Sequence, residues 1–401
     1  MGAPRVKCDY VSVRLSQVAE INPKPAYKLK CNEVVSFLSM SAVTVEGVTS
    51  EGEDKLYSDV NKGYTSFKNG DVLIAKITPC FENGKIAQAK IKNEYGFGST
   101  EFHVVRAIPG LLDARYLLHF LRQSNVRLDG EHRMIGSAGH RRVPADFFSD
   151  LKVLLPPLFE QRRIAGILDK VESVKQNSDL LIKMLQVLPQ SVFVKVFGNL
   201  TEKESSLPTV PLRDLVDPLR PISYGILMPG PEQEEGVKYV RVVDMKDGGI
   251  DVGSVRMTTV TISAAYKRSL LKQFDLIMSI RGHVGRLAIV PSELEGANIT
   301  QDTARIAVDE SRILPVFLLE YLRTEGVQRW LTRHVKGVAV RGINLSDVKN
   351  IPVILPNLDL QRDFALKVKA IGCLISSYRT QLESIEALFA SLQHRAFRGE
   401  L

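Results

Sequence analysis

Two stretches of the chain carry many basic side chains and no acidic ones. They are residues 132–145 (HRMIGSAGHRRVPA), with Arg133, His140, Arg141 and Arg142, and residues 326–346 (GVQRWLTRHVKGVAVRGINLS), with Arg333, Lys336 and Arg341. Clustered cations of this kind can contact DNA phosphates, and nearby glycines let the backbone approach a phosphate closely. The alternative is a solvated basic loop, or arginines that pair with acids from elsewhere in the domain. Because both stretches occupy the same place in two halves of the chain, we predict DNA contact.

A second set of basic residues follows each of two strand-like runs. Residues 76–85 (KITPCFENGK) offer Lys76 and Lys85, and residues 279–288 (SIRGHVGRLA) offer Arg281, His283 and Arg286. An arginine can bond N7 and O6 of guanine together in the major groove, so Arg281 and Arg286 are candidate base readers. The alternative is a surface hairpin with ordinary charges.

Patterns typical of catalysis are missing from the sequence. It has no NPPY-like or DPPY-like loop for adenine methylation, no GxxxxGK[ST] phosphate loop, and no histidine–carboxylate spacing of a metalloenzyme. The run DGGIDVG (247–253) favours a hairpin turn over a cofactor loop. Four cysteines lie far apart, which favours reduced thiols over a zinc site or disulfides. We therefore expect no catalytic residue and no bound metal, although a serine triad, whose members meet only in space, stays open.

The elements that would position the basic residues occur twice along the chain, as an internal sequence repeat. LPPLFEQRRIAGILDKV at 155–171 and LPNLDLQRDFALKVKAI at 355–371 keep Leu-Pro, Leu and Gln-Arg in register at a separation of 200 residues. The runs at 70–77 and 274–281 also parallel each other, as do those at 143–157 and 343–357. Each half therefore predicts an irregular α/β (α+β) domain of about 150 residues with many short strands.

A long helix is predicted after each domain. Its apolar positions recur at steps of three and four: Ile164, Leu168, Val171, Ile182, Leu185 and Val192 in the first helix, and Phe364, Val368, Ile371, Ile375, Tyr378, Leu382, Ile385, Phe389 and Leu392 in the second. Such spacing is typical of a coiled coil. Lys175, Ser178 and Pro189 interrupt the first seam, and Pro189 is expected to kink or end that helix early. We expect the two stripes to bury each other as an antiparallel coiled coil; packing on the helix's own domain or on another protein are the alternatives.

Composition and these patterns together give the predicted organisation. Residues 1–157 and 201–357 are globular domains, residues 158–200 a central helix, and residues 358–401 a C-terminal helix, with a polar linker at 198–211. The 53 Lys and Arg against 45 Asp and Glu give a net charge of +8, which is compatible with a polyanion partner. Met1–Tyr10 lacks a signal-peptide core, and no membrane-spanning apolar run is evident, so we expect a cytoplasmic protein.

With these motifs assembled, the chain resembles the specificity subunit of a type I restriction–modification system over its full length. The repeated LPxLxxQR motif at fixed spacing, the segment LPQSVFVKVFGN, and the C-terminal ALFASLQHRAFRGEL carry the resemblance. It implies two target recognition domains, each reading one half of a split DNA sequence. It also implies that the antiparallel helices set the spacer between the halves and dock two modification subunits.

The resemblance assigns partners and cofactors as well. Double-stranded DNA, two methyltransferase subunits and restriction subunits would bind this chain, while no membrane would. S-adenosylmethionine, ATP and Mg²⁺ would belong to the partner subunits and none of them to this chain. Gln161, Arg162, Gln361 and Arg362 would fix the helix starts or touch protein partners rather than bases.

Two other functions stay open at this point. One is a self-contained DNA methyltransferase or nuclease, and the other is the specificity subunit of a related system whose partner fuses restriction and methylation. The bases read, the spacer length and the need for partners in DNA binding do not follow from the sequence.

Overall fold

The computed structural model describes residues 10–24, 29–137, 139–198, 209–246, 248–337 and 341–401. The chain divides into two compact units, Met1–Asn177 with Gln381–Leu401 (unit 1) and Ser178–Thr380 (unit 2). Each unit combines one globular domain with parts of two long helices. Residues 199–208 of the predicted linker at 198–211, and residues 1–9 of the chain, lie outside the described residues. The end of the predicted linker, Thr209–Pro211, is a strand of the second domain. The predicted domain boundaries stay predictions.

Short strands form much of the first globular domain, residues 10–157. They are β1 (Val11–Arg14), β2 (Ala19–Ile21), β3 (Val34–Leu38), β4 (Glu53–Leu56), β5 (Thr65–Lys68), β6 (Val72–Ala75), β7 (Ile86–Gln88), β8 (Tyr95–Gly98), β9 (Phe102–Ala107) and β10 (Lys152–Leu155). β1 pairs antiparallel with β10, and two four-stranded sheets run in the orders β2-β9-β6-β7 and β4-β3-β8-β5. All four residues of β6 are buried, as its aliphatic run after Asp71 predicts.

Helices complete this domain. They are α1 (Tyr57–Val60), α2 (Ala114–Leu121), α3 (Ser124–His132) and α4 (Ala145–Asp150), with 3-10 helices at Leu15–Gln17 and Met40–Ala42. The carboxylate of Asp113 caps α2 by accepting hydrogen bonds from the main-chain N–H groups of Arg115 and Tyr116. Apolar side chains of α2 pack in one core with Leu168, which belongs to the long helix that follows this domain. This core attaches the domain to that helix.

One continuous helix, α5 (Leu158–Phe197), follows the first domain. Of the two effects predicted for Pro189, an early end of this helix is wrong, because the helix continues to Phe197, while a kink stays a prediction. A proline inside a helix removes one main-chain hydrogen bond. Packing of Val192 and Phe193 into the core of unit 2 offsets that loss.

α5 also contains an 18-residue window with a mean hydropathy of 1.5, of which 11% is buried. By length and composition alone, this helix is apolar enough to cross a membrane, which differs from the expectation of no such segment. A single helix of this kind is weak evidence for a membrane span, because a helix that packs against other protein passes the same test.

The second globular domain, residues 209–357, is again rich in short strands. They are β11 (Thr209–Pro211), β12 (Ser223–Tyr224), β13 (Val237–Val240), β14 (Met245–Lys246), β15 (Gly249–Ile250), β16 (Arg256–Thr258), β17 (Leu276–Ser279), β18 (Leu287–Ile289), β19 (Asn298–Ile299), β20 (Thr303–Ile306) and β21 (Pro352–Ile354). Two sheets run in the orders β12-β20-β17-β18 and β16-β13-β19, and β11 pairs with β21. β14 and β15 pair antiparallel, which confirms the hairpin predicted near residue 247.

The helices of this domain are α6 (Val260–Ala265), α7 (Pro315–Leu322), α8 (Glu325–His334) and α9 (Leu345–Lys349), with 3-10 helices at Leu212–Leu215, Val242–Asp244, Lys267–Ser269 and Ser292–Leu294. Helices α7 and α8 follow each other with only two residues between them. The break lies at Arg323 and Thr324, and the hydroxyl of Thr324 donates to the carbonyl of Tyr321. A side chain that bonds the preceding turn in this way favours a break in the helix.

The last helix, α10 (Leu358–Ala396), pairs with α5 inside each unit. In unit 1, Nζ of Lys175 lies 2.8 Å from Oε1 of Glu386, and Phe389 packs on the core that contains Leu168. The beginning of α5 therefore lies beside the end of α10. Lys175, which interrupts the apolar seam, is accommodated by this ion pair.

In unit 2, the end of α5 lies beside the beginning of α10. The ring centroid of Phe193 is 5.4 Å from that of Phe364, edge to face, and Val192 and Val368 border the same core. The two helices are therefore antiparallel, which confirms the predicted fold class.

The remaining seam residues face inward in this arrangement. Leu168, Ile182 and Ile371 are buried, and the half-buried ones are Val171, Leu185, Val368, Ile375, Leu382 and Ile385. Ser178, at an interrupted seam position, is buried as well.

Candidate nucleic-acid interface

Main-chain hydrogen bonds join four separate segments of the first domain side by side. We call them the first ledge, which consists of Lys76–Thr78, Thr100–Glu101, Ile135 and Arg141–Val143. Lys76 donates its N–H to the carbonyl of Glu101 at 2.9 Å, and Thr78 donates to Arg141 at 3.0 Å. Ile135 and Arg142 exchange two main-chain bonds of 2.9 Å each. The basic stretch at 132–145 thus lies against the start of the hairpin that follows β6.

The second domain repeats this frame. The second ledge consists of Ile280–Gly282, Gln301–Asp302, Lys336 and Arg341–Ile343. Ile280 donates to the carbonyl of Asp302 at 2.8 Å, Gly282 donates to Arg341 at 2.9 Å, and Lys336 and Gly342 exchange bonds of 2.8 and 3.0 Å. Each bond has a counterpart in the first ledge, so positions in the two ledges correspond one to one. The predicted basic stretches and hairpins therefore meet inside each domain.

Arg142 is the main cation of the first ledge, and an acid holds it. Its Nε and Nη2 atoms donate to the two carboxylate oxygens of Glu101 at 2.9 and 2.7 Å. The hydrogen bond from this guanidinium holds the pKa of Glu101 below its usual range. Arg141 lies 3.5 Å from Glu82. The alternative considered from the sequence, arginines paired with acids from elsewhere in the domain, therefore applies to both.

Arg281 and Lys336 line a cleft of about 670 Å³ in the second ledge. Nη1 of Arg281 donates to Oε1 of Gln301 at 3.0 Å and lies 4.0 Å from Asp302. Nζ of Lys336 lies 3.4 Å from Oδ2 of Asp347, and most of the Lys336 side chain is exposed. The second ledge therefore presents cations that are bound more loosely than Arg142 is.

Other predicted residues of the first domain have more varied surroundings. Arg133 follows α3, and its guanidinium lies over the ring of Phe147 at 5.6 Å. His140 is exposed, and Lys76 is half-buried in the ledge. The ammonium of Lys85 donates to the carbonyl of Met40 at 3.1 Å. Lys85 thus ties the hairpin to the 3-10 helix Met40–Ala42 of its own domain.

The other predicted cations of the second domain lie at its surface. Arg333 belongs to the last turn of α8, and Arg341 contributes its carbonyl to the second ledge. His283 and Arg286 are exposed in the hairpin between β17 and β18. The carbonyl of His283 accepts from the hydroxyl of Ser279, which fixes the bend of this hairpin.

Sequence reasoning missed Glu101 and Gln301. Both stand outside the basic stretches and come into the ledges only through main-chain pairing. A signal was present, since Glu101 and Asp302 occupy matching places at nearly the repeat distance. An internal alignment of the two halves would have placed an acid in both ledges.

The helix entrances show a second repeated arrangement. Gln161 is fully buried, and its Oε1 accepts from the N–H of Asp113 at 2.8 Å, while its Nε2 donates to the carbonyls of Leu111 and Pro156. These bonds attach the start of α5 to the loop before α2.

Gln361 makes the same three contacts in unit 2. Its Oε1 accepts from Leu314 at 2.8 Å, and its Nε2 donates to Arg312 at 3.1 Å and to Pro356 at 2.9 Å. The neighbouring Arg162 and Arg362 are 70% and 62% exposed. The two glutamines therefore attach the helix starts to their own domains, whereas the two arginines are exposed to solvent.

A polar network connects α2 to α5 in unit 1. Buried His119 bonds Oδ1 of Asp169 at 2.7 Å, and Asp169 also accepts from Arg115. Burial alone would raise the pKa of Asp169, but hydrogen bonds from His119 and Arg115 lower it to about 2. The ligand atoms of His119, Asp169 and Glu172 lie within 4.8 Å of one another, as a metal site would require. Both carboxylates also face a guanidinium, Asp169 that of Arg115 and Glu172 that of Arg122 at 2.6 Å.

Comparisons with known proteins agree with this arrangement. Residues 8–183 match the family model of the type I restriction modification DNA specificity domain. The EcoBI specificity subunit of Escherichia coli is 31% identical over 279 residues, 63% of this chain and 59% of that subunit. The EcoAI specificity subunit of Escherichia coli is 39% identical over 197 residues, 48% of this chain and 33% of that subunit. The chain thus covers between a third and three fifths of these two relatives.

A more distant relative and two solved structures cover more of the length. The MjaVIII specificity subunit of Methanocaldococcus jannaschii is 25% identical over 308 residues, 73% of this chain and 71% of that subunit. A chain from a structure of type I restriction–modification complex assembly has a TM-score of 0.65 at 18% identity, over 99% of this chain and 100% of that chain. The S subunit from M. genitalium has a TM-score of 0.55 at 14% identity, over 97% and 96%. These likenesses confirm the fold.

Proposed function

We propose that the chain, which is similar to specificity subunits of type I restriction–modification systems, is a non-catalytic, sequence-specific DNA-binding subunit. Each globular domain reads one half of a bipartite, asymmetric target. The paired helices set the spacer and dock two methyltransferase subunits, and restriction subunits complete the assembly in the cytoplasm. S-adenosylmethionine, ATP and Mg²⁺ belong to those partners.

The observation that carries this proposal is the duplicated ledge. Two domains place basic side chains on the same main-chain frame, and the side chains at matching positions differ, as with Ile77 and Arg281. A reader of two unlike half-sites needs a constant frame with variable side chains, since phosphate contacts fix position and side chains at base edges fix the sequence.

Exposed apolar residues on α5 support the docking of protein partners. Their side chains project from the part of α5 in unit 2, namely Leu180, Leu181, Met184, Val187 and Leu188. Contiguous exposed apolar surface on a helix of a DNA-binding protein is typical of a protein interface. The same residues account for the high hydropathy of α5, so a partner subunit explains this helix without a membrane.

A domain replacement tests the proposed function. Residues 210–355 are exchanged for the matching domain of a relative with a different target, and the chain is coexpressed with its methyltransferase subunits. Methylome mapping is expected to show one changed half-site and one unchanged half-site. A change in both halves would contradict the two-reader proposal.

The rival enzymatic function has a separate test. The purified chain alone is incubated with DNA and labelled S-adenosylmethionine. We expect no label in the DNA until methyltransferase subunits are added. Methylation by the chain alone would favour a self-contained methyltransferase.

A further inference from the structure

We propose that Arg281 and Gln301 together read a guanine in the half-site of the second domain, and that the first ledge has no equivalent guanine reader. The inference rests on the proposed function and deepens it. It adds Gln301 as a specificity-determining residue and gives the two half-sites different chemistry at matching positions.

The placement of Arg281 suits contact with a base edge. About half of its side chain is exposed (49%), and it borders the cleft that Tyr224, Leu227 and Lys336 also line. Tyr224 and Leu227 are exposed by 54% and 50%. Apolar and aromatic surface next to a basic group is suited to a nucleobase, whereas phosphate contact needs only charge.

Gln301 orients the guanidinium and also limits what the pair can recognise. Its Oε1 accepts from Nη1 of Arg281, and its main-chain N–H donates to the carbonyl of Ile226 at 2.8 Å. Within the described part of the chain, Nε2 of Gln301 and the Nε and Nη2 atoms of Arg281 have no hydrogen-bond acceptor. The side-chain groups of the pair that have no partner are therefore all donors.

A set of donors matches guanine better than the other bases. Guanine presents the acceptors N7 and O6 in the major groove, while adenine presents one acceptor and one donor. A glutamine reads adenine through its own acceptor and donor together. Here Arg281 already occupies one lone pair of Oε1 of Gln301, and its guanidinium adds further donors, so the pair favours guanine.

The absence of a side chain at residue 342 leaves room for Arg281. A Cβ atom on Gly342 would lie 3.1 Å from the carbonyl oxygen of Ile280 and 3.3 Å from Cγ of Arg281. Arg142 takes the corresponding position of the first ledge, where the residue opposite it is Ile77. The arginine therefore lies on opposite segments of the two ledges, at residue 142 in the first and at residue 281 in the second.

The first ledge offers different chemistry at the matching positions. Ile77 and Thr100 stand where Arg281 and Gln301 stand in the second ledge, and the guanidinium of Arg142 is bonded on two sides to Glu101. An arginine whose fork already holds a carboxylate cannot hold guanine in the same way. The first domain therefore reads its half-site by other contacts.

The decisive experiment uses the wild-type complex with methyltransferase subunits. Methylome mapping gives the motif, and the replacement of residues 210–355 shows which half-site the second domain reads. Each guanine of that half-site is then changed to 7-deazaguanine, which lacks the N7 acceptor. At one position we expect the affinity to fall roughly tenfold, the effect of losing one good base contact.

Variants then connect that position to the two side chains. Arg281→Lys keeps the charge but loses the fork, so the affinity for normal DNA falls, and 7-deazaguanine causes a smaller further loss than it does for the wild type. Gln301→Leu is expected to lower the preference for guanine at the same position while leaving the charge unchanged. Arg256→Lys is the matched control, since Arg256 is 48% exposed in the same domain and pairs with Glu232 at 3.2 Å. Its motif and affinity are expected to stay unchanged.

The outcomes separate this inference from the proposed function. A bipartite motif whose second half-site lacks guanine, or tolerates 7-deazaguanine everywhere, overturns the reading pair and leaves the proposed function in place. A wild-type complex without a bipartite motif overturns both. Because the central comparison uses one wild-type protein on two DNAs, a variant that fails to fold does not affect it.

Discussion

The two ledges share a main-chain frame, yet each holds its arginine in a different way. In the first ledge, Arg142 makes a two-bond ion pair with Glu101, and in the second, Arg281 bonds the neutral Gln301. The frame depends on main-chain hydrogen bonds, which any residue except proline can make. Side chains on such a frame can therefore change without a change of fold, which is what a protein with two unlike specificities requires.

The helix entrances differ from the ledges in this respect. Gln161 and Gln361 make matching bonds to main-chain groups of their own units. Each glutamine satisfies buried main-chain groups, so neither can be replaced without leaving such a group unpaired. The entrances therefore carry the constant part of the repeat, and the ledges carry the variable part.

The largest effect is expected on stability, from replacing the buried glutamines at the helix entrances. Gln161→Leu and Gln361→Leu each leave buried main-chain groups without partners, and each should lower the free energy of unfolding by about 3 kcal/mol. Denaturant unfolding of the purified chain measures both. Arg162→Ala and Arg362→Ala are matched controls at exposed neighbours, with changes of about 0.5 kcal/mol or less. A large loss in one unit alone would show that the two entrances are not equivalent.

The next largest effect is expected on DNA specificity, from transferring side chains of the second ledge to the first. Ile77→Arg, Thr100→Gln and Arg142→Gly together place the residues of the second ledge on the first. We expect the first half-site to gain a preference for guanine of roughly tenfold at one position. Competition binding with duplexes that differ at single base pairs measures this preference. An unchanged first half-site, with a folded triple variant, would mean that the frame alone does not define the reading positions.

Acid is expected to affect unit 1 more than unit 2. The pKa of Asp169 is about 2, against an ordinary value of 3.8, so its ionised form stabilises the fold above about pH 4. That contribution is lost as pH falls from about 4 through about 2, and it amounts to about 1 kcal/mol after allowance for solvent screening, since 35% of the side chain is exposed. Lys369 stands at the matching place after Gln361.

Urea unfolding at pH 5 and pH 3 measures this acid sensitivity. Asp169→Asn should reduce the difference in stability between the two pH values, with Asp179→Asn on the same helix as the control. An equal difference in the wild type and in Asp169→Asn would contradict the assignment to Asp169.

The smallest effect is expected from releasing Arg142. Glu101→Gln removes the negative charge beside it, so affinity for non-specific DNA should rise about threefold at low salt, with one more ion released on binding. Fluorescence anisotropy across a salt series measures both quantities. Glu82→Gln, beside Arg141, is the comparison variant, and its longer 3.5 Å contact predicts a smaller rise. No change in the salt slope for Glu101→Gln would show that Arg142 lies away from the DNA.

Periodic patterns explain how much of the fold could be predicted from sequence. The seam of α10 repeats every three or four residues, and the LPxLxxQR motif repeats after 200, so helix pairing and the duplication were both predictable. The early end of α5 predicted from Pro189 was wrong, because the effect of this proline depends on tertiary contacts, namely the packing of Val192 and Phe193. Local propensity does not contain such information.

The candidate interface was predicted only in part, for a related reason. The basic stretches are visible because their residues are neighbours in sequence. Glu101 is 41 residues from Arg142, and Gln301 is 20 residues from Arg281, so their pairings depend on the strand register. A search for acid-free windows therefore finds the cations but misses the groups that hold them.

Unit 1 is made from two separated pieces of chain, Met1–Asn177 and Gln381–Leu401, whereas unit 2 is continuous from Ser178 to Thr380. A truncation before residue 381 would therefore remove a piece of unit 1, although the cut lies in the second half of the sequence. Phe389 and Leu392 would be lost from the core that also contains Leu168. Unit 1 thus needs both ends of the chain, whereas unit 2 is formed by one uninterrupted segment.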